Sequence, residues 1–444
     1  ITTLLANGSK VVIADYYYIF NPHIRELFLG KADKDLSKCI VIVDEAHNLP
    51  KRLRELMTHR LSSYQVDRAI SEAKKYKYSE TANNLKAIKE ILESMSPSVE
   101  QREKLVEKVD FMDAIARFAS YDNLIDDLVF VADAVRETEK QSFVGSVAAF
   151  LDAWRGDDDG FVRIISQEML RKPLITLSYR CLDPGLLSKE VVENAYSTIF
   201  MSGTLMPLEM YKDILSVEKA ELEEYESPFP NENRLNLVIP ETTTKYTSRN
   251  EAQFRRIAEI AAEVVNTVPG NSIVFFPSYS LRDSVDQYFM SKCKKTSFME
   301  RPRMSKADKR EMLERFKSYH KQGAVMLGVV SGSFGEGIDL PGDFLKAVMV
   351  VGVPLQPPDL ETRALIRFYD ELFGRGMEYG YIFPAINRVM QNAGRVIRSE
   401  KDRGAVVLID ERYSWPFYRA CFPPDNNFRS TKNYVRVLQE FFKE

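Results

Sequence analysis

The segment Ile40-Val-Ile-Val-Asp44-Glu45-Ala46-His47 places four apolar, β-branched residues directly before two carboxylates, a small residue and an imidazole. This order is typical of a buried strand that ends at the edge of a parallel sheet. In that place Asp44 can hold Mg²⁺ directly or through its waters, and Glu45 can orient and deprotonate the water that attacks a terminal phosphate. The spacing therefore predicts a site for a magnesium nucleotide. The alternative, a solvated loop start, is about equally common for an isolated Asp-Glu pair.

A second feature is the segment Gln391-Asn-Ala-Gly394-Arg395-Val-Ile-Arg398. Helical spacing of three and four residues predicts that Gln391, Arg395 and Arg398 share one face. Arginine keeps its charge and grips phosphate oxygens with a planar fork, which predicts an anion clamp. An exposed helix with scattered charges is the alternative. That alternative explains Gly394 poorly, because glycine inside a helix costs about 1 kcal/mol relative to alanine.

A third feature is a glycine-rich stretch, residues 328–342, which follows the strand-like Ala324-Val-Met-Leu327. Glycines at this density let the backbone approach a ligand closely and turn its amides toward anions. Asp339 within the stretch can accept a hydrogen bond from a ribose or hold an arginine. Taken alone, the stretch is equally consistent with a turn-rich loop.

These segments belong to an ordered set of motifs that resembles the superfamily 2 helicases. The set comprises Asp44-Glu-Ala-His47, Ser202-Gly-Thr-Leu205, Phe275-Phe-Pro-Ser-Tyr279, Gly335-Glu-Gly-Ile-Asp339, Val353-Pro-Leu-Gln-Pro-Pro-Asp359 and Gln391-x-x-Gly-Arg-x-x-Arg398. The last four motifs, together with residues 402–413, resemble specifically the XPD-type (Rad3/DinG-like) iron–sulfur DNA helicases. The resemblance spans the whole chain apart from an insert of weak sequence signal.

The resemblance implies an α/β fold with two RecA-like parallel-sheet motor domains and an all-helical arch insert in the first. Residues 52–172 have a helical pattern and are the expected insert, whereas 1–51 and 173–230 are expected to form the first motor domain. From 231 to 444, continuous apolar strands alternate with helices, which predicts a second parallel sheet covered on both faces. The elements predicted there are strands Ser272–Phe276, Val325–Leu327, Ala347–Val351 and Ala405–Ile409, and helices Gln253–Val268 and Asp308–Lys317. Near the beginning we predict a strand at Val11–Asp15 and a core cluster at Tyr16–Phe20.

The resemblance also implies roles for individual residues, with ATP and Mg²⁺ as ligands. Asp44 would hold the ion and Glu45 one of its waters. The residues implied in catalysis are Asp44, Glu45, His47, Gln391, Arg395 and Arg398, and those implied in nucleotide binding are Gly337, Asp339, Arg395 and Arg398. Ser202, Gly203 and Thr204 would couple the nucleotide state to the other motor domain, although each hydroxyl is equally consistent with a helix cap. In this layout ATP lies between the two domains and single-stranded DNA lies across their upper edge.

Four residues in loops that follow predicted strands are candidates for contact with a single strand of DNA. They are Ser278, Tyr279, Ser333 and Phe334. Ligands gather at the carboxyl ends of parallel strands, and we expect sequence-tolerant contacts to phosphates and stacked bases there. Aromatic residues near sheet edges are more often packing residues, which is the alternative for Tyr279 and Phe334.

Two features of the family are missing from the 444 residues. A P-loop, G-x-x-x-x-G-K followed by Ser or Thr, holds the β- and γ-phosphates, and the nearest approach to it is Gly30-Lys31-Ala32. The four cysteines of the family's 4Fe–4S cluster should precede the D-E-A-H segment, yet Cys39 adjoins that segment and Cys181, Cys293 and Cys421 follow it. We therefore expect the chain to be the carboxyl-terminal part of a longer protein, which would hydrolyse ATP where this part alone would not.

Composition narrows the class of protein. With 444 residues, of which 45% are hydrophobic and 28% charged, the chain is expected to form two or three domains. No apolar run reaches the roughly eighteen residues of a membrane span, and 4 widely separated cysteines predict a reducing compartment rather than a disulfide framework. The expected location is intracellular, cytoplasmic in a prokaryote and nuclear in a eukaryote. A net charge of −3 excludes a uniformly basic nucleic-acid binder but does not exclude a basic groove.

The favoured functional hypothesis is a monomeric ATP-dependent 5′ to 3′ DNA helicase of the nucleotide excision repair type. Its partners would be single-stranded and forked DNA, with repair or transcription-factor proteins. A DinG-like helicase or an RNA-remodelling D-E-A-H motor is a second hypothesis. A third, favoured by the missing P-loop, is a DNA-binding fragment without ATPase activity.

Overall fold

The computed structural model describes residues 6–98, 100–169, 172–335, 340, 342–355, 357–423 and 426–443. The chain divides into two compact units. The first comprises residues 1–202, 212–220 and 358–376, and the second comprises 203–211, 221–357 and 377–444. Within the described ranges, no helix combines the length and the apolar character that a bilayer span requires.

The first unit contains a two-stranded parallel sheet that carries the D-E-A-H segment. Strand β1 (Ile40–Val43) pairs with β6 (Ser197–Phe200), so that Val43 lies opposite Phe200. Val41 and Val43 are buried, whereas Ile40 and Ile42 are 59% and 61% exposed, so only one face of β1 is covered. The surrounding helices are α1 (Tyr17–Phe20), α2 (Pro22–Ala32), α3 (Leu49–Leu56) and α9 (Gly185–Asn194).

Residues 59–181 form a second part of this unit, built on a four-stranded antiparallel sheet in the order β2-β5-β4-β3. The strands are β2 (His59–Ser62), β3 (Glu103–Leu105), β4 (Phe161–Met169) and β5 (Pro173–Cys181), and the helices are α4 (Ser63–Lys75), α5 (Ser79–Met95), α6 (Lys108–Ala116), α7 (Tyr121–Arg136) and α8 (Phe143–Trp154). The insert is therefore not all-helical, which corrects the prediction. Strands β2 and β3, with four and three residues, are too short to show an alternating pattern in sequence, and the nine residues of β4 do not alternate between buried and exposed. Strand β5, predicted in the motor domain, pairs with β4 instead.

Helix α14 (Leu360–Phe373) belongs to the first unit although its sequence position predicts the second motor domain. The backbone N–H of Leu360 donates to Glu103 Oε1 at 2.7 Å, and Arg180 forms an ion pair with Glu361. Tyr369 of this helix is almost fully buried and lies within 3.5 Å of the Arg54 guanidinium. These long-range contacts, which no local pattern reveals, overturn the predicted boundary for residues 358–376.

The second unit is a seven-stranded parallel sheet in the order β13-β7-β12-β11-β8-β10-β9. The strands are β7 (Arg234–Ile239), β8 (Ser272–Phe276), β9 (Thr296–Met299), β10 (Ala324–Val329), β11 (Ala347–Val351), β12 (Gly404–Ile409) and β13 (Arg429–Ser430). Every residue of β8, β10, β11 and β12 is buried, as expected for a parallel sheet that is covered on both faces. The predicted α/β class is confirmed.

The remaining elements complete the two units. The helices are α10 (Leu208–Ile214), α11 (Glu251–Thr267), α12 (Tyr279–Phe289), α13 (Lys306–Ser318), α15 (Phe383–Ala393), α16 (Pro416–Arg419) and α17 (Tyr434–Lys443). Short 3-10 helices span Leu36–Lys38, Ala46–Asn48, Asn231–Asn233, Tyr246–Ser248, Gly342–Phe344 and Glu411–Ser414, and a π-helical turn spans Glu378–Ile382.

Two predictions near the beginning of the chain are wrong. Residues 11–15 form no strand, and Val11 and Ile13 are 78% and 96% exposed. The cluster at 16–20 is not a core, because Tyr17 and Tyr18 are exposed and Phe20 is its one fully buried member. High β-propensity did not produce a strand here because a strand also needs a partner for its backbone hydrogen bonds.

Candidate functional site

The two acids of the D-E-A-H segment lie on a tight turn at the carboxyl end of β1. The backbone N–H of Met201 donates to the Val43 carbonyl at 3.0 Å, and the N–H of Ala46 donates to the Met201 carbonyl at 3.0 Å. The backbone hydrogen bonds between the β1 segment and the β6 segment therefore continue on both sides of Asp44 and Glu45. Both acids are exposed, and Glu45 has a left-handed backbone with φ of 49°.

Tyr16 fixes this turn from a distant point in the sequence. Its hydroxyl donates to the carbonyl oxygen of Asp44 at 2.6 Å and approaches that of Glu45 at 3.2 Å. Partial burial and then the charges of the two nearby carboxylates raise the pKa of Tyr16, so the hydroxyl keeps its proton as a donor. Sequence reasoning missed this residue, since it lies 28 positions before Asp44 and no local pattern marks it.

Three of the predicted site residues of the first unit lie together. The Ser202 hydroxyl donates to Glu45 Oε2 at 3.1 Å, and its oxygen lies 2.7 Å from His47 Nδ1. His47 Nδ1 is also 3.2 Å from Glu45 Oε2, and the imidazole is nearly buried while the Glu45 carboxylate is largely exposed. The serine therefore links the acid and the imidazole. Gly203 and Thr204 fall in the second unit, and their part in coupling stays a prediction.

The acidic turn fits the ligand set of a magnesium nucleotide. In such sites Mg²⁺ is held by one or two carboxylates, by waters and by substrate phosphates. Asp44 and Glu45 present exposed carboxylates at a strand end, and Asp44 Oδ1 is oriented by the N–H of Glu45 at 2.9 Å. Magnesium there would neutralise phosphate charge and supply the bound water that Glu45 orients.

The chain's cysteines do not fit an iron–sulfur cluster. Cys39, Cys181, Cys293 and Cys421 are free thiols. Among the residues that the structure describes, no group of three or more His, Cys, Asp or Glu side chains is arranged to hold a metal ion.

The arginines of the second unit do not share a helix face, which corrects the prediction. Helix α15 ends at Ala393, and Gly394 follows as its carboxyl-terminal cap, so that Arg395 and Arg398 lie in the turns beyond the helix. Gln391 is in the last turn of the helix. The helix stops before Gly394, whose backbone is right-handed with φ of −62°, so the helical spacing that suggested a clamp on one face does not extend to Arg395 and Arg398.

Arg395 and Arg398 have different environments. The Arg395 guanidinium is 6% exposed and donates to the carbonyl oxygen of Gly335, so it holds the loop after β10. Arg398 is exposed, and its backbone N–H donates to Asp402 Oδ2 at 2.7 Å. Of these two arginines, Arg398 is therefore the one that is exposed to solvent. Gly337 and Asp339, which were predicted to bind nucleotide, lie outside the described residues.

A buried carboxylate that sequence reasoning missed joins three loops at the carboxyl edge of the second sheet. Glu300 directly follows β9 and is fully buried. Its Oε1 accepts from the Tyr279 hydroxyl at 3.1 Å and from the N–H of Ser333, and its Oε2 accepts from the N–H of Val329 at 2.9 Å. Gly332 packs so closely on this carboxylate that an added Cβ would overlap both oxygens.

The four residues predicted to contact a DNA strand differ in their exposure and hydrogen bonding. Phe334 is 1% exposed, so its ring is packed inside the protein and the prediction that it stacks on bases is wrong. Ser278 caps α12, accepting from the N–H of Leu281 at 3.2 Å. Tyr279 is partly exposed, and burial together with Glu300 raises its pKa to about 12. Ser333 is also partly exposed.

Comparison with known proteins identifies the relatives of both halves of the chain. Residues 2–66 match the DEAD_2 family model, and residues 261–425 match the model of a helicase C-terminal domain. The general transcription and DNA repair factor IIH helicase subunit XPD/RAD3 of Saccharomyces cerevisiae is 24% identical, over 91% of this chain and 62% of its own length. The ATP-dependent DNA helicase XPD of Sulfolobus acidocaldarius is 24% identical, over 93% of this chain and 71% of its own length.

The solved structures support the same fold. A structure of XPD in the apo form is 22% identical and superposes with a TM-score of 0.62, covering 94% of this chain and 81% of that chain. At this identity the likeness shows a shared fold. The chain spans about three fifths of the yeast relative's length.

Proposed function

Because the chain belongs to the XPD-type superfamily 2 helicases, we propose that the protein is an ATP-dependent DNA helicase. The observation that carries the proposal is the hydrogen-bonded set of Glu45, Ser202 and His47 at the ends of β1 and β6. A glutamate that is exposed at a strand end and oriented by two neighbours is suited to activate the water that attacks ATP.

In this proposal Asp44 holds magnesium and Glu45 accepts a proton from the attacking water. Ser202 orients the Glu45 carboxylate and holds His47 next to it. Hydrolysis of the nucleotide would therefore shift Ser202 and the segment that follows β6. Tyr16 maintains the left-handed turn that presents both acids. These roles rest on the geometry of the first unit alone.

From the family resemblance we propose that Arg398 supplies positive charge for phosphoryl transfer. Arg398 is exposed on a turn that Asp402 fixes through two backbone N–H groups, at 2.7 Å to Arg398 and 2.9 Å to Ser399. A guanidinium held on such a turn can stabilise the charge that develops on a transferred phosphoryl group. Arg395 would act as a positioning residue through the Gly335 carbonyl.

We further propose that the protein moves 5′ to 3′ along single-stranded DNA and acts in DNA repair. The yeast relative's name, a DNA repair factor subunit, supports the setting. The test is an unwinding assay of the intact protein with ATP and duplexes that carry a 5′ or a 3′ single-stranded tail, with matched RNA duplexes as controls. Preferential unwinding of the 5′-tailed DNA is expected, and ATP-independent strand separation or a preference for RNA would overturn the proposal.

One observation favours a second candidate, a DNA-binding module without turnover. The 444 residues contain no P-loop sequence, and the lysine and amides of that loop normally hold the β- and γ-phosphates. ATPase activity of the 444-residue chain, measured beside that of the intact protein with and without single-stranded DNA, discriminates between the two candidates, because only the helicase proposal expects the intact protein to hydrolyse ATP. Binding of DNA with no ATP hydrolysis would support the second one.

A further inference from the structure

A strongly basic segment of the second unit has no role in the proposed nucleotide chemistry. Residues 301–310 contain five cations and one acid, Asp308, so the segment has a charge of +4 in a chain whose net charge is −3. The cations are Arg301, Arg303, Lys306, Lys309 and Arg310. We call these five residues the basic turn.

The structure gives the basic turn a defined shape. It begins directly after Glu300, turns through Arg303 with a left-handed φ of 57°, and enters helix α13 at Lys306. The backbone N–H of Arg301 donates to Met304 Sδ at 3.4 Å across this turn. Ser305 and Asp308 form a capping box, so the one acid of the segment is occupied at the start of the helix.

The cations of the basic turn are available to a ligand. Arg301, Arg303, Lys306 and Arg310 are exposed and Lys309 is half-buried. Within the described part of the chain, none of the five lies within 4 Å of a carboxylate as an ion pair. Other exposed cations of this unit do form such pairs, for example Arg436 with Glu440. Five unpaired cations on one short segment create a local positive potential that favours a polyanion.

The position of the basic turn points to the kind of polyanion. Glu300, the residue before it, is hydrogen-bonded to Tyr279 and Ser333, two residues predicted to contact a DNA strand. All of these residues follow strands β8, β9 and β10, which run parallel, and therefore lie at the carboxyl edge of the sheet. Ligands of parallel α/β sheets bind at this edge.

We propose that the basic turn binds the phosphate backbone of a single strand of nucleic acid. This inference rests on the proposed function and adds the residues that hold the strand. Arginine and lysine would contact phosphate oxygens without reading bases, so binding is sequence-tolerant and weakens steeply with salt. The partly exposed Tyr279 and Ser333 border the same path.

The test compares two pairs of substitutions that remove the same charge from opposite edges of one sheet. Arg301→Ala/Arg303→Ala changes the carboxyl edge. Lys294→Ala/Lys321→Ala is the matched control, because these exposed lysines precede β9 and β10 and so lie at the amino edge. The dissociation constant for a fluorescein-labelled oligothymidylate is measured by anisotropy at several salt concentrations with the purified protein.

We expect the Arg301→Ala/Arg303→Ala protein to bind the oligonucleotide at least about fivefold more weakly, and the slope of log affinity against log salt to fall by about 1.4, because each lost phosphate contact removes about 0.7. The control pair should change affinity less than about twofold. Lys306→Ala/Arg310→Ala, on an exposed helical surface, should also weaken binding, and it provides a second variant if the first one unfolds. Equal thermal unfolding midpoints exclude a loss of fold.

Three outcomes would overturn the inference. Equal weakening by the control pair would mean that general electrostatics, not the basic turn, determines the affinity. Unchanged affinity in both basic-turn variants would remove the assigned contact. Polyglutamate is measured in the same assay. If the basic-turn variants lost polyglutamate binding but bound oligothymidylate unchanged, the surface would be assigned to an acidic protein. Failure of the unsubstituted protein to bind oligothymidylate would instead refute the proposed function, and this inference with it.

Discussion

Ser202 Oγ lies 2.7 Å from His47 Nδ1, although the two residues are 155 positions apart in the sequence. The contact follows from the topology, because β1 and β6 are parallel neighbours and the residues after Val43 and Phe200 leave the sheet at the same edge. The serine hydrogen is directed to Glu45 at 3.1 Å. The acid that would activate water is therefore held by the segment that follows the neighbouring strand.

Substitution of Glu45 tests its role as the base. Glu45→Gln in the intact protein should lower the ATP turnover number by about a hundredfold or more, since a positioned general base contributes that much, while ATP binding is retained. Turnover is measured with single-stranded DNA in excess. Glu26→Gln, an exposed glutamate on α2, is the matched control and should leave turnover unchanged. Near-normal turnover in Glu45→Gln would exclude a catalytic role.

Tyr16→Phe tests the turn that presents the acids. It removes the hydroxyl that donates to the Asp44 carbonyl, and one such hydrogen bond contributes about 1 kcal/mol to the free energy of unfolding. We expect that loss in chemical unfolding, together with reduced ATP turnover because Glu45 relaxes from its left-handed backbone. Tyr17→Phe, whose ring is exposed, should change neither quantity. Equal effects of the two substitutions would contradict the assignment.

The two arginines after α15 should separate catalysis from stability. Arg398→Ala should reduce ATP turnover by about a thousandfold, the effect of losing an arginine on the transferred phosphoryl group, with little change in the free energy of unfolding. Arg395→Ala should lower that free energy by about 2 kcal/mol, because a buried charged hydrogen bond to Gly335 is lost. Lys401→Ala is the exposed control for Arg398. A large stability loss in Arg398→Ala would indicate a structural role instead.

The fold of the second unit was largely predictable because strands covered on both faces appear as unbroken apolar runs. Ser272–Phe276 and Ala347–Val351 have the predicted bounds, and helices α11 and α13 differ from prediction by one or two residues at each end. The first unit was less predictable. Helix α14 is assigned by contacts with Glu103 and Arg180, which are distant in sequence, whereas β5 pairs both with the adjacent β4 and with the distant β2.

Within the candidate site, the residues that share one local motif were predictable from the sequence. Residues whose hydrogen-bond partners are distant in the sequence were not. Asp44, Glu45 and His47 lie in one segment, whereas Tyr16 and Glu300 reach their partners only through the fold. The prediction for Arg395 and Arg398 failed because it extended the helical period past Gly394, where the helix ends. Phe334 shows that a motif position does not determine exposure.

The Cys181 thiol provides a pH test of the first unit. Burial raises its pKa to about 12 from an ordinary value of 9.0. Between these values the unfolded chain loses the proton while the folded chain keeps it, so the free energy of unfolding should fall as pH rises above 9. Iodoacetamide at pH 8.5 should label Cys39, which is partly exposed, well before Cys181, as measured by mass spectrometry. Equal labelling rates would contradict the burial of Cys181.

Gly332→Ala tests whether Glu300 organises the carboxyl edge of the second sheet. The added methyl would overlap both carboxylate oxygens of Glu300, which cannot move without breaking bonds to Tyr279, Val329 and Ser333. Overpacking of this kind costs about 2 kcal/mol, and we expect that loss in the free energy of unfolding. Gly30→Ala is the control, because nothing lies near its added methyl and alanine favours helix α2 by up to about 1 kcal/mol.

The double substitution Gly332→Ala/Glu300→Ala makes this test specific to the contact. Glu300→Ala alone leaves three hydrogen-bonding groups without their carboxylate and should itself be destabilising. In the double variant the methyl no longer meets the carboxylate, so its cost should largely disappear and the two effects should be less than additive. Additive losses would mean that Gly332 is required for its backbone and not for its approach to Glu300.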